Sequence, residues 1–319
     1  MLTNKTNLSM SLAVALSYND YDYINEPNYI SATSILKPLK AIVIGLNSKA
    51  RGEPDVLDFV ASRVGTAIHT ASEDSWLNGN YKSSMRKLGY PEDIIARIKV
   101  NPTDIHEADI PVYLERRSIK ELAGYKVGGK FDAVMEGAIR DIKTVKAFSY
   151  IKNDMEPYRL QLSIYRWLNQ DIITSDVGYV DMIITDWKKF EADMKPEYPQ
   201  LPVVEKKIRL MTITETENWL TSRLNSISSL VSKPQSALPL CSKEELWADP
   251  TKYKYFKNPA GKRATKVFDS MVEANQRLID EGSVGIVKTV EGTPKRCNYC
   301  VKAECEQAQN YILQGVLEE

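Results

Sequence analysis

Two carboxylates and one amine lie close together in the segment from Gly128 to Thr144: Asp132, and the triplet Asp141-Ile-Lys143. The segment reads as two short strands, Asp132-Ala-Val-Met and Ile139-Arg-Asp-Ile-Lys-Thr, joined by a tight turn at Glu136-Gly-Ala. Side chains alternate across a strand, so Asp141 and Lys143 project from one face and Asp132 reaches that face from the other arm. Hydrolysis of a phosphodiester at neutral pH needs an activated water and a place for the charge that builds on the phosphate and the leaving oxygen. Carboxylates that hold Mg²⁺ supply both. In such an arrangement the acids bind the metal, and Lys143 orients the water or steadies the transition-state charge.

An acid two residues before a lysine is a weak signal on its own, because it occurs four times, starting at Asp141, Asp186, Asp193 and Glu205. Asp186-Trp-Lys188 also follows a strand, but its nearest upstream acid, Asp181, is five residues away and leaves little room for a hairpin. Only the Asp141 copy has a Gly-containing hairpin and an acid nine residues upstream. Downstream, Gln161 and Tyr165 are spaced i, i+4 and share a helix face away from most of its apolar stripe, where they could hold a DNA phosphate or a metal-bound water. Upstream, Gly65-Thr-Ala-Ile-His69 carries one of two histidines, and a neutral imidazole can ligate a second metal. His106 has no comparable setting. Glu115, in Tyr113-Leu-Glu-Arg, is a candidate auxiliary acid on the preceding strand.

The elements that must position these groups follow from periodicity. The first hundred residues read as mostly helical, and Asp55 to Leu77 sets Val56, Phe59, Val60, Val64 and Ile68 on one apolar stripe with His69 near the end. Tyr158 to Leu168 returns to helical spacing, with Leu160, Ile164, Trp167 and Leu168 as its buried side; a strand, Gly178 to Thr185, follows. After a helix from Glu215 to Val231, the prolines and serines of Ser232 to Pro239 mark a boundary. The predicted organisation is a helical N-terminal region (1–110), a core (111–231) and a C-terminal lobe (232–319). The fold class is α/β, a mixed central sheet flanked by helices.

The ordered series Gly65-x3-His69, Gly129-x2-Asp132, Asp141-Ile-Lys143-Thr and Gln161-x3-Tyr165 resembles the RecB-like branch of the PD-(D/E)XK nuclease superfamily, bacteriophage-encoded members included. The resemblance covers about Gly65 to Tyr165. It implies a restriction-endonuclease-like core and a DNA exonuclease or endonuclease using Mg²⁺ or Mn²⁺. It further implies that His69, Asp132, Asp141 and the Ile142 carbonyl are metal ligands, that Lys143 is catalytic, and that Gln161 and Tyr165 lie beside the site.

Cys297-x2-Cys300-x4-Cys305 places three soft ligands within nine residues and Cys241 makes a fourth, a count that suits tetrahedral Zn²⁺ or a [4Fe-4S] cluster equally. A similar C-terminal trio occurs in iron-sulfur nucleases of the same branch, of the AddB and CRISPR-adaptation kinds, which favours the cluster. In those relatives the fourth cysteine precedes the nuclease core, whereas Cys241 follows it. Its work would be to pin the C-terminal lobe. From Lys252 to Lys266 the chain holds six basic residues and no acid: Lys252, Lys254, Lys257, Lys262, Arg263 and Lys266. Tyr253, Tyr255 and Phe256 are interleaved with them. This stretch could neutralise DNA phosphates and stack unpaired bases.

Across all 319 residues, Lys plus Arg equals Asp plus Glu at 42 each, so a DNA site has to be a local patch rather than a property of the whole surface. With 43% hydrophobic and 26% charged residues the chain is neither disordered nor collagenous. No run approaches the roughly 18 apolar residues of a membrane span, and Met10 to Leu16 lacks a cleavage site after it. The location expected is the cytoplasm of a bacterial or phage-infected cell. The function expected is metal-assisted DNA hydrolysis, exonucleolytic in mode. A specific endonuclease would share every catalytic residue, and a non-catalytic, metal-stabilised DNA-binding protein is the rival from another class. A homo-oligomeric ring, or a complex with a single-strand-binding or annealing protein, is compatible with the sequence.

Overall fold

The structure is a computed structural model that describes residues 2–18, 24–48 and 54–318. In chain order its N-terminal elements are α1 (Met10–Ser17), β1 (Tyr29–Ser31), α2 (Leu39–Asn47), α3 (Val60–Leu77), α4 (Tyr81–Lys87), α5 (Glu92–Arg97) and β2 (Ile98–Val100). The central elements are β3 (Ile110–Leu114), β4 (Arg117–Leu122), β5 (Tyr125–Lys130), β6 (Ala133–Met135), β7 (Ala138–Val145), α6 (Ala147–Lys152) and α7 (Glu156–Leu168). They continue through β8 (Val177–Ile184), α8 (Lys189–Met194), β9 (Val203–Arg209) and α9 (Ile213–Leu230). The C-terminal elements are β10 (Lys252–Phe256), β11 (Lys266–Phe268), α10 (Met271–Asp280), β12 (Ile286–Val290) and α11 (Glu306–Leu313).

Contacts divide the chain into two units, Met1–Leu36 with Glu53–Asn225, and Lys37–Gly52 with Ser226–Glu319. The first unit is built on a mixed six-stranded sheet of order β2-β3-β6-β7-β8-β9, in which β7 and β8 run parallel and β6-β7 and β8-β9 run antiparallel. A smaller sheet, β1-β5-β4, adjoins it in sequence, so the chain passes from one sheet to the other between Lys130 and Ala133. The fold is thus the mixed α/β class expected, a central mixed sheet flanked by helices. Its strands alternate as half-buried strands should: β8 buries Gly178, Val180, Met182 and Ile184 in turn.

Helix α7 covers the sheet more completely than its spacing suggested. Gln161, Leu162, Ser163, Ile164, Tyr165, Trp167 and Leu168 are all buried. The approach is close enough that a Cβ at Gly178 would meet Ile139 Cγ2 at 2.9 Å and Leu162 Cδ1 at 3.0 Å, so the strand needs glycine there. The predicted helix from Asp55 begins as a 3-10 turn, Val56–Phe59, capped by the Asp55 carboxylate accepting from Leu57 N at 3.1 Å. Its apolar stripe is only partly used: Val56 is buried, whereas Val60 and Val64 are exposed and α3 has no fully buried residue.

In the second unit β11-β10-β12 form an antiparallel sheet, and the fully buried Tyr255 and Ala274 mark where α10 packs on it. A separate cluster gathers Leu246, Cys297, Ala308 and Leu317 with Cys241 and Cys305 at its edge. Val43 and Ile44 of α2 pack with Leu238 in the same unit. Among the described residues no helix is long and apolar enough to cross a membrane.

Candidate metal-binding active site

The β6-β7 hairpin turns on Glu136 and Gly137, whose φ values of 49° and 74° are those of a two-residue turn matched to strand twist. That turn sets the register Ala133↔Arg140, and extending it by one residue puts Asp132 opposite Asp141. Asp132 sits where the chain switches sheets, and its Oδ2 accepts the Ile142 amide at 2.7 Å. On α3, which packs against β7, His69 Nδ1 lies 3.3 Å from that same oxygen. Glu115 follows β3 with φ of 51°, a left-handed conformation unfavourable for a side chain, and forms an ion pair with Lys130. Ligand atoms of His69, Glu115 and Asp132 all lie within 4.8 Å of one another. The auxiliary acid therefore belongs to the group, whereas Asp141 stands outside it.

Asp141 is almost wholly buried, and Lys143 Nζ is 2.6 Å from its Oδ2. That oxygen is buried, and the Lys143 ammonium is its charged partner. Burial pushes the Asp141 carboxyl up to about 6, against the opposing pull of Lys143. Burial pulls the Lys143 ammonium down, but the charges of Asp141 and Asp132 outweigh it and the net shift is upward. The hydrogen bond to Asp132 raises His69 despite partial burial. Burial raises Glu115 as well, in spite of Lys130. The centre thus holds more carboxylate than its two cations offset, in a place where water is scarce. A buried carboxylate whose neighbour is an ammonium, beside further carboxylates and an imidazole, is a donor set that fits a hard divalent cation.

Two other copies of the acid-x-lysine pattern hold structural contacts, and Asp193 of the third is exposed. Asp186 Oδ1 accepts the Ala147 amide at the start of α6 at 2.7 Å, and Glu205 pairs with Arg140. Gln161 and Tyr165 do not line an open face; both are buried, with Gln161 Nε2 donating to Tyr165 Oη at 3.0 Å. Tyr165 packs where a Cβ at Gly129 would come within 2.5 Å of its ring, which is the local reason for glycine three residues before Asp132. Sequence reasoning missed Tyr158, which feels both Lys143 and Asp141 and shares the i, i+3, i+7 face with Gln161 and Tyr165. It also missed Glu73, one turn after His69. Both Glu73 and Trp76 line a cavity of about 140 Å³ with His69, Glu115, Asp132 and Ile142.

In the second unit all four cysteines are free thiols, Cys297 buried and the others half-buried. Burial and neighbouring sulfurs push Cys241 up to about 12 and Cys297 up to about 11. No three of these sulfurs lie within 4.8 Å of one another.

The basic stretch is corrected by its fold. Tyr255 is fully buried with its hydroxyl donating to Val284 O at 2.7 Å, and Phe256 is buried too, so neither can stack on a base. They face inward because they lie on β10, where alternation and the α10 contact claim them. Lys252 is paired with Asp269 and Lys257 with Glu281, the latter at 3.0 Å.

No protein-family model matches the chain, and no curated protein matches it. Its fold is similar to that of the protein SSO0001, with 16% identity and a TM-score of 0.43 over 72% of this chain and 90% of that one. A candidate exonuclease from Eubacterium rectale aligns at 12% identity, TM-score 0.35, over 73% of this chain and 89% of the other. A phage-related exonuclease from Haemophilus somnus 129PT aligns at 11% identity, TM-score 0.29, over 64% and 95%.

Proposed function

We propose that the chain is a Mg²⁺- or Mn²⁺-dependent deoxyribonuclease of the RecB-like, restriction-endonuclease-like kind, acting as an exonuclease. The observation that carries this reading is the buried Asp141 carboxylate held 2.6 Å from Lys143, across the hairpin from an Asp132 that already engages His69 and the Ile142 amide. A scaffold gains nothing from crowding acids where a phosphate has to approach, whereas a hydrolase does. Asp132, Asp141 and His69 would hold the ion, with the Ile142 carbonyl and Glu115 as further ligands. A bound divalent ion lowers the pKa of its water and offsets the charge that grows on the phosphate. Lys143 stays protonated beside Asp141, so it can donate to the attacking water or to a phosphate oxygen as negative charge accumulates. Tyr158, facing Lys143, extends the hydrogen-bonding surface toward the substrate, and Gln161 with Tyr165 braces the wall behind it.

In the C-terminal unit Cys241, Cys297, Cys300 and Cys305 would hold a [4Fe-4S] cluster. A zinc tetrahedron with bonds of about 2.3 Å would bring its sulfurs to about 4 Å of one another. The cluster is preferred to zinc because the Cys297-x2-Cys300-x4-Cys305 trio resembles that of iron-sulfur nucleases. DNA contact in this unit would fall to Lys254, Lys262, Arg263 and Lys266, since Lys252 and Lys257 are already paired.

Purified protein incubated with end-labelled linear DNA, with and without Mg²⁺, tests the reading. Progressive shortening that needs the metal and spares circular DNA is the expected result. Cutting of closed circles would replace the exonuclease assignment by an endonuclease, and no cleavage with either metal would end the nuclease reading.

A further inference from the structure

Lys40 stands in the first turn of α2, yet only 3% of its surface is exposed. Lysine is almost never buried this far without a carboxylate beside it, because removing an ammonium from water is costly unless a counter-charge replaces the solvent. Among the described residues Lys40 has no such partner: its Nζ reaches the Gln235 carbonyl at 3.4 Å, a long contact for one of three donors. The lysine lines a cavity of about 450 Å³ within the second unit, a size typical of sites for small molecules. Glu306 is the one acid on that wall, and no ion pair joins it to Lys40.

Beside the Lys40 ammonium, the rest of the wall offers both polar and apolar surface to a ligand. Ser236, Asn310 and Gln314 offer neutral donors and acceptors, and Leu238 and Tyr311 offer apolar surface. The wall is also braced. The Gln235 side-chain oxygen accepts the Glu306 amide at 3.1 Å, its amide group donates to the Glu304 carbonyl, and Gln307 clamps both backbone groups of Cys241 at 2.9 and 3.1 Å. A preformed cavity with an uncompensated ammonium is what a phosphate-bearing ligand requires, and lysine is a common point-charge partner for phosphate.

We infer that the Lys40 cavity binds the phosphate of a nucleotide, at a site separate from the hydrolytic centre. The choice of nucleotide rests on the nuclease reading, under which such phosphates are at hand either as released mononucleotides or as a strand's 5′ end. The chemistry is the same for both sources.

The test is calorimetric titration of the full chain with dAMP in EDTA, which keeps divalent ions away from the hydrolytic centre. Lys40→Met keeps the length and removes the charge, and should weaken binding by about tenfold or more. Asn310→Asp, which adds a negative charge to the wall, should weaken it in the same direction, whereas Asp141→Asn should leave it unaltered. Absence of dAMP binding by the wild type overturns the inference, as does equal affinity in the wild type and Lys40→Met, or loss through Asp141→Asn alone. Competition by a 5′-phosphorylated oligonucleotide but not by its 5′-hydroxyl form supports the site with a strand end as its source. Competition by inorganic phosphate and neither oligonucleotide supports it with the free nucleotide as source. Failure of DNA cleavage would remove the nuclease reading while leaving this binding result standing.

Discussion

Lys143 holds its ammonium 2.6 Å from Asp141 Oδ2, an oxygen buried away from water. Asp141→Asn keeps the shape and removes the charge, so cleavage should be abolished. Lys143→Ala should lower the rate by about 10² to 10⁴ while DNA binding largely survives. Asp186→Asn touches only the cap of α6 and should cost about 1 kcal/mol of stability with cleavage intact. Wild-type digestion by Asp141→Asn in Mg²⁺ would remove the catalytic assignment.

Glu115 shares the 4.8 Å group with His69 and Asp132, so Glu115→Gln should weaken Mn²⁺ binding by about tenfold to a hundredfold. Asp193→Asn alters an exposed acid of another acid-x-lysine triplet and serves as the control. Titration followed by the electron paramagnetic resonance of free Mn²⁺ separates them; matching affinities would exclude Glu115 from the ligand set.

In the metal-free protein, stability should fall as pH rises through the range from about 4, where an unfolded aspartate titrates, to about 6, where Asp141 does. A carboxyl raised in the folded state holds its proton more tightly there, so its contribution is favourable in acid and is lost on ionisation. His69 acts with the same sign, since its raised folded pKa makes a contribution that is full below the unfolded value and lost as pH climbs past the folded one. Urea unfolding at pH 4.5, 6 and 8 should show a shallower decline for Asp141→Asn than for the wild type. Parallel curves would count against the burial of an ionising Asp141.

Anaerobic preparations should be brown with broad visible absorption, and Cys300→Ser should bleach them and loosen the C-terminal unit. A colourless protein carrying one zinc per chain would dispose of the iron-sulfur proposal without touching the hydrolytic centre.

Gly129→Ala would set a Cβ 2.5 Å from the Tyr165 ring and 3.1 Å from Ala32 Cβ, and should destabilise by about 1 to 3 kcal/mol. The comparison is Gly45→Ala, on α2 with nothing within 4 Å, which should stabilise by about 0.5 to 1 kcal/mol. Denaturant midpoints measure both, and a neutral Gly129→Ala would contradict the close packing of β5 on α7.

Local periodicity carried much of the first unit. The alternation of β7 put Asp141 and Lys143 on one face, the left-handed pair Glu136-Gly137 fixed the register that sets Asp132 opposite them, and helical spacing found α3, α7 and α9 to within a few residues. These are short-range properties, decided by neighbours in the chain. The remainder depended on which surfaces meet. Val60 and Val64 had the right spacing for burial, but they lie exposed in the fold. Tyr255 and Phe256 looked available between lysines, but β10 turns Tyr255 into the second unit's core and leaves Phe256 buried as well. Glu115 was legible only as a candidate auxiliary acid; it is β3 pairing with β6 that brings it to Asp132, seventeen places along the chain, and into the group with His69. Which of four acid-x-lysine triplets has a buried acid, and that a lysine of α2 lines a cavity with residues from Gln235 to Gln314, are facts of tertiary packing, because burial and charge compensation depend on what the rest of the chain brings alongside.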